Sequence, residues 1–254
     1  MRRFLVGLAF SAVSLVWNSP TAAAGCPTAP VAEEGGSHWC YSAGARGNVH
    51  LWTPAGYDPA TAVTVVYVHG HDIDASPRGQ AHYLDGAWSA HRLAAQFAAS
   101  GIGALFIAVE GPLNDRQAVK WTSLDALLRS VRADGGVKPP GRVVAVAHSA
   151  GIFTVKRFLG DARLAHVIVL DAAYQDAPAR LARWYRASKD HRLTLVGAQS
   201  VGWKTARLVR ALGCRRDLGA TQSRCASLID TDLGHMSVVT SGGVLPRTLA
   251  RIRR

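Results

Sequence analysis

The feature that most limits the fold is a set of short runs that are apolar on nearly every residue. The plainest, Val63-Thr64-Val65-Val66-Tyr67-Val68, is β-branched at all but one position. A strand with one wet face alternates apolar and polar side chains, so a continuous run requires cover on both faces, as in a parallel sheet. Residues 102–109, 142–147 and 166–170 read the same way, with shorter runs at 49–52, 193–196 and 228–229. Between them lie segments of helical period. Trp88, Leu93, Ala94 and Phe97 predict a helix over 88–98. Leu124, Leu127, Leu128 and Val131 predict another, capped by Thr122 or Ser123 and ending near Gly135-Gly136. Helices are expected over 150–159, 177–187, 204–212 and 245–252 as well. Alternation at this spacing implies an α/β fold, a mostly parallel central sheet with helices on both faces. A 254-residue chain that is 48% apolar can bury such a core in one domain, expected at residues 49–254.

The chain begins Met1-Arg2-Arg3, is apolar from Phe4 to Trp17 apart from Gly7, Ser11 and Ser14, and reaches Ala22-Ala23-Ala24 before Gly25. A basic start, an apolar stretch too short for a bilayer and a small-residue cleavage point predict a removable secretory signal at residues 1–24. No transmembrane segment is expected to remain after its removal. Export would account for an even set of cysteines, Cys26, Cys40, Cys214 and Cys225. Three connectivities are possible, and closeness in sequence favours Cys26–Cys40 and Cys214–Cys225. The Gly-, Ala- and Pro-rich stretch 25–48 is then expected to be a disulfide-stapled arm over the surface. No C-x-x-C or H-E-x-x-H spacing occurs, so no metal site is read here. The net charge is +12, but the arginines are scattered and no basic run is interleaved with aromatics, which argues against nucleic acid. An anionic envelope surface is the partner such a field favours.

One stretch carries chemistry. Val143-Val144-Ala145-Val146-Ala147-His148-Ser149-Ala150-Gly151 runs from a buried strand, through a serine flanked by small residues, into a helix. A sharp strand-to-helix turn presents the hydroxyl, and small neighbours keep Cβ atoms clear of the adjoining elements. The short pattern H-S-x-G also describes an ordinary helix cap, so the surrounding elements must decide. A nucleophilic serine needs a base, and donors for the oxyanion that its attack creates. His69-Gly70-His71 directly follows the run at 63–68, and Gly70 permits a bend that turns amides inward. The N–H groups of His71 and Ala150 are the expected oxyanion donors.

Pro54-Ala55-Gly56-Tyr57-Asp58-Pro59, the strand after it, His69-Gly70 and Ala147-His148-Ser149-Ala150-Gly151 together resemble the α/β-hydrolase superfamily of esterases and lipases. The likeness spans nearly all of the chain from His50 onward, with Ala147 standing where the family pattern more often has Gly. It implies the order serine, acid, histidine. The resemblance points to His235, in Asp230-Thr231-Asp232-Leu233-Gly234-His235-Met236, as the base; His148 and His166 are expected to be structural. The family's common acid position reads Gly197-Ala198-Gln199-Ser200 and holds no carboxylate. Some members carry the acid one strand earlier, where Leu170-Asp171-Ala172-Ala173-Tyr174 is similar to a set of secreted bacterial hydrolases. Asp171 is therefore the expected acid, with Glu110 and Asp230 its rivals and Asp217 a solvated residue. Tyr83, Trp88 and Trp121 are candidates for a pocket rim, although aromatics at such places are more often core.

These readings predict a secreted serine hydrolase that cleaves a carboxylic ester, small or polymeric, through an acyl-enzyme on Ser149, without a cofactor. A peptidase or amidase acting on cell-envelope material is an alternative favoured by export and positive charge. A catalytically silent binding protein on a hydrolase scaffold is the other, motivated by Ala147 and the displaced acid.

Overall fold

The computed structural model describes residues 26–70, 83–112, 117–218 and 223–252; the expected signal at 1–24 and the expected oxyanion donor His71 lie outside them. Its strands are β1 (Val31–Glu33), β2 (Gly36–Ser42), β3 (Asn48–Pro54), β4 (Val63–His69), β5 (Ala104–Glu110), β6 (Val143–His148), β7 (Leu164–Leu170), β8 (Arg192–Gly197) and β9 (Cys225–Ile229). They form one sheet in the order β1-β2-β3-β5-β4-β6-β7-β8-β9. Every pairing from β5 across to β9 is parallel, and β1, β2 and β3 add an antiparallel edge. The helices are α1 (Tyr83–Ala90), α2 (Leu93–Ala99), α3 (Leu124–Ala133), α4 (Gly151–Phe158), α5 (Ala177–Ala187), α6 (Gly202–Leu212), α7 (Ser237–Thr240) and α8 (Val244–Leu249).

The continuous apolar runs are buried on both faces, as their composition requires. Along β4, Val66 and Val68 face one core with Leu127 of α3, Ile152 of α4, Leu181 of α5 and Leu208 of α6. Val65 and Tyr67 face the other, with Leu84 of α1, Phe97 of α2 and Leu245 of α8. Successive side chains in a strand point to opposite faces, so one run serves two layers. Burying each such aliphatic side chain contributes ~1.5–3 kcal/mol, which is why the helices stay docked. Trp121 is fully buried, and Trp88 stacks on His38 and His50 at 4.4 and 4.9 Å, so both are core residues.

Three local expectations change. Residues 31–42, expected as a surface arm, form β1 and β2, and β2 pairs with β3 along its whole length. Glu34 and Gly35 both have positive φ, 49° and 72°, which gives the two-residue turn that a tight hairpin needs. Residues 88–98 are not one helix: α1 ends at Ala90 and Arg92 is left-handed at φ 50°. The Gln96 side-chain amide bonds the His91 carbonyl at 2.7 Å, satisfying it outside a helical ladder. The one-turn α7 precedes the last helix, which ends at Leu249. Ser123, not Thr122, caps α3, accepting from the Ala126 amide at 3.1 Å. The cysteines pair locally, Cys26–Cys40 and Cys214–Cys225, with Cα separations of 5.4 and 4.8 Å. Among the described residues, no helix is long and apolar enough to cross a membrane.

Candidate active site

Parallel strands bring their carboxyl ends to one edge of a sheet, and the crevice beyond that edge is where open α/β sheets gather functional groups. Here that edge collects His69-Gly70 after β4, Ser149 after β6, Asp171 after β7 and Ala198 to Ser200 after β8. Ser149 joins β6 to α4 with φ 51°, a left-handed conformation that a non-glycine residue adopts at a cost of ~1–3 kcal/mol. Packing enforces it. A Cβ on Gly151 would lie 2.2 Å from the Val68 carbonyl oxygen, so α4 can start this close to β4 only with glycine there. Ala147 is tolerated for the opposite reason: its methyl is buried in the core below α4, inside the strand and away from the turn. Gly70 lies against the same turn, since a Cβ on it would meet Ser149 Cβ at 2.5 Å and the Ala150 amide nitrogen at 2.6 Å. Ala150 precedes the first residue of α4, so its N–H has no carbonyl four residues back within a helix to bond.

Asp171 is fully buried and also left-handed, at φ 43°. Its Oδ1 accepts from the Ala198 amide at 2.8 Å and the Val201 amide at 3.3 Å. Its Oδ2 accepts from His235 Nδ1 at 2.7 Å and from the Ser200 hydroxyl. Burial alone would raise this carboxyl, but the hydrogen bonds from His235, Ser200 and the Ala198 amide outweigh it and hold the group at about 2. A carboxylate only accepts, so the proton of the neutral His235 ring resides on Nδ1 and Nε2 keeps its lone pair. The structure thus brings Asp171 to His235 across 64 positions of sequence.

It does not bring the rivals there. Glu110 is buried against Lys120 and the Leu84 amide, and the Asp230 carboxylate accepts from the Asp232 amide at 3.0 Å, closing the turn after β9. Asp217 is exposed between the two cysteines of its loop. His166 lies in β7 bonded to Thr194 at 2.9 Å, and burial presses it down to about 3.

One neighbour was not foreseen. Ser200, in the segment searched only for a carboxylate, is within 3.1 Å of both His235 Nδ1 and the Tyr174 hydroxyl. Because its single proton goes to Asp171, Tyr174 O–H is the donor to Ser200. Scanning that segment for hydroxyls as well as carboxylates would have found Ser200. His148 stacks on His235 with ring centres 4.8 Å apart, and its Nε2 lies 3.3 Å from the His235 carbonyl. Burial, with His69 and His235 nearby, keeps His148 neutral. It supports the His235 loop from below, consistent with a structural part.

No protein-family model and no curated protein matches this sequence. Solved structures do. The chain is similar to a mutant of the feruloyl esterase module from Clostridium thermocellum complexed with sinapinate, at 10% identity and TM-score 0.53, over 90% of this chain and 95% of that one. It is also similar to a cold-adapted esterase from an Arctic intertidal metagenomic library, at 14% identity and TM-score 0.52, over 90% and 100% of the two chains. A third likeness, to a thermostable esterase at 15% identity and TM-score 0.50, covers 84% of this chain and 60% of that one. Taken with the strand order and the helices on both faces, these likenesses show that the chain has the α/β-hydrolase fold.

Proposed function

We propose that the protein is a secreted serine hydrolase that cleaves a carboxylic ester through an acyl-enzyme on Ser149. The observation that carries this reading is the contact of His235 with a buried, fourfold hydrogen-bonded Asp171 beside a left-handed serine turn. The Ser149 hydroxyl stands at the turn between β6 and α4. For reaction it turns to His235 Nε2, gives up its proton and attacks the carbonyl carbon. The N–H groups of Ala150 and His71 stabilise the oxyanion, and Gly70 leaves space over the Ala150 amide that a side chain would fill. Collapse of the tetrahedral intermediate expels the alcohol, which takes the proton from His235. Water, deprotonated by the same nitrogen, then releases the acid and regenerates Ser149. Asp171 keeps the proton of the ring on Nδ1 and offsets the imidazolium charge.

An ester is favoured over an amide by the three esterases that share the fold. Export is supported by the signal-like residues 1–24 and by two disulfides, which persist in oxidising compartments. The test is labelling by a fluorophosphonate. The folded wild type should be labelled and Ser149→Ala should not; an unlabelled wild type with intact disulfides would sink the proposal. N-terminal sequencing of exported protein should begin after residue 24.

A further inference from the structure

Where α4 meets the start of α5 is a cavity of ≈ 200 Å³ for which the reaction above has no use. Its walls include Phe153, Lys156 and Arg157 of α4, Gln175 and Arg180 around the start of α5, and Val119. Three of these are cations and none is a carboxylate. Asp176 sits beside them, bonding Lys156 Nζ and Arg180 Nε at 2.5 Å each, which fixes both cations while neutralising only one charge. Arg157 is exposed and has no ion pair among the described residues. The Lys156 ammonium lies 4.9 Å from the centre of the Phe153 ring, so positive charge is held over an apolar wall. Such a lining suits an anion on an apolar stem.

Two observations tie the cavity to the candidate site. The Phe153 amide bonds the Ala150 carbonyl at 3.0 Å, which puts Phe153 one helical turn, ~5 Å of rise, beyond the nucleophile turn. Gln175 directly follows Tyr174, whose hydroxyl is 3.1 Å from the Ser200 hydroxyl that donates to Asp171. Gln175 is itself left-handed at φ 48°. Glutamine has no short side chain to stabilise that conformation locally, and strained backbone of this kind collects at ligand clamps. Of the five non-glycine residues with positive φ among the described residues, three are Ser149, Asp171 and Gln175.

We infer that this cavity is a substrate subsite for a carboxylate borne on a short apolar stem of the ester. The inference rests on the ester-hydrolase reading and adds the substrate class to it. Two matched pairs of esters test it: monophenyl adipate against phenyl hexanoate for the acyl side, and 4-carboxyphenyl butyrate against phenyl butyrate for the alcohol side. One anionic member should be preferred in kcat/KM by about tenfold or more at low ionic strength, with the preference shrinking in salt. Arg157→Gln should reduce that ratio about tenfold, and Arg157→Lys should keep most of it. Arg210→Gln, an exposed change of equal charge on α6, should leave the ratio alone. Binding of the same four esters to Ser149→Ala supplies a readout that needs no turnover. If the wild type cleaves no ester, the ester reading fails while this titration still decides the subsite. Equal affinity and turnover within both pairs would overturn the inference, as would a preference that Arg157→Gln leaves intact or that Arg210→Gln lowers equally.

Discussion

Replacing Asp171 by Asn changes one atom of a carboxylate whose four partners are known, so the consequence can be worked through. The retained oxygen goes on accepting from the Ala198 and Val201 amides at 2.8 and 3.3 Å, because two amides orient it. The new NH2 then faces His235 Nδ1, 2.7 Å away, and the Ser200 hydroxyl. Two N–H donors cannot share that contact, so the imidazole moves its proton to Nε2 and accepts from Asn with Nδ1. A ring protonated on Nε2 cannot take the Ser149 proton. Wrong-tautomer variants of this type lose about 10⁴ in kcat, or ~5 kcal/mol of barrier at 1.36 kcal/mol per decade. Stability falls too: a carboxyl held at about 2 instead of 3.8 contributes ~2 kcal/mol at neutral pH, worth ~4–8 °C in melting temperature for a domain of this size. The assay is kcat/KM on a chromogenic short-chain ester, with thermal melting in parallel. Near-normal turnover in Asp171→Asn, with collapse in Glu110→Gln or Asp230→Asn, would refute the reasoning.

Ser200→Ala should lower kcat about tenfold with little change in KM, since Ser200 donates to Asp171 and touches no substrate, and Ser200→Thr should recover most of the loss; an unchanged kcat would remove Ser200 from the site. Gly70→Ala should abolish turnover while the protein still folds if the neighbouring turn yields slightly, because its Cβ would come within 2.6 Å of the Ala150 amide; retained activity would move the oxyanion site elsewhere. Acid should destabilise the fold in two stages. His166 is pressed from 6.5 to about 3, and His50 and His148 are lowered too, all by burial first. These rings are neutral when folded and take up protons once unfolded, so stability is full above 6.5 and falls as pH drops below it. Asp171, lowered to about 2, adds a second loss as pH falls below 3.8. Unfolding free energies from urea titrations between neutral and acid pH should decline by several kcal/mol in ~4 pH units, and a flat profile would contradict the assignment of neutral buried histidines.

The order of strands and helices was legible because each central strand is covered on both faces and so shows as an unbroken apolar run. The span predicted for α5, 177–187, is the one observed. What failed were features in which backbone geometry beats periodicity. Nothing in the spacing of Trp88, Leu93 and Phe97 marks the break at Arg92, because the groups that satisfy its open carbonyls come from Gln96 after the chain has turned. The β1–β2 hairpin was hidden because its residues are mixed in character and gain their burial only by pairing with β3.

The candidate site divides along the same line. The sequence by itself determined the strand-to-helix turn at Ser149, since a buried strand running into a serine between small residues is a local pattern set by local sterics. Asp171 and His235 could be ranked as partners but not joined, because 64 residues and two further strands separate them. Only the tertiary structure decided that β7 and the loop after β9 end at one edge of the sheet, where the Ala198 and Val201 amides and the Ser200 hydroxyl hold Asp171 ionised beneath the imidazole. A hydrogen bond requires angstrom proximity, and for residues this far apart in sequence proximity is a property of strand order.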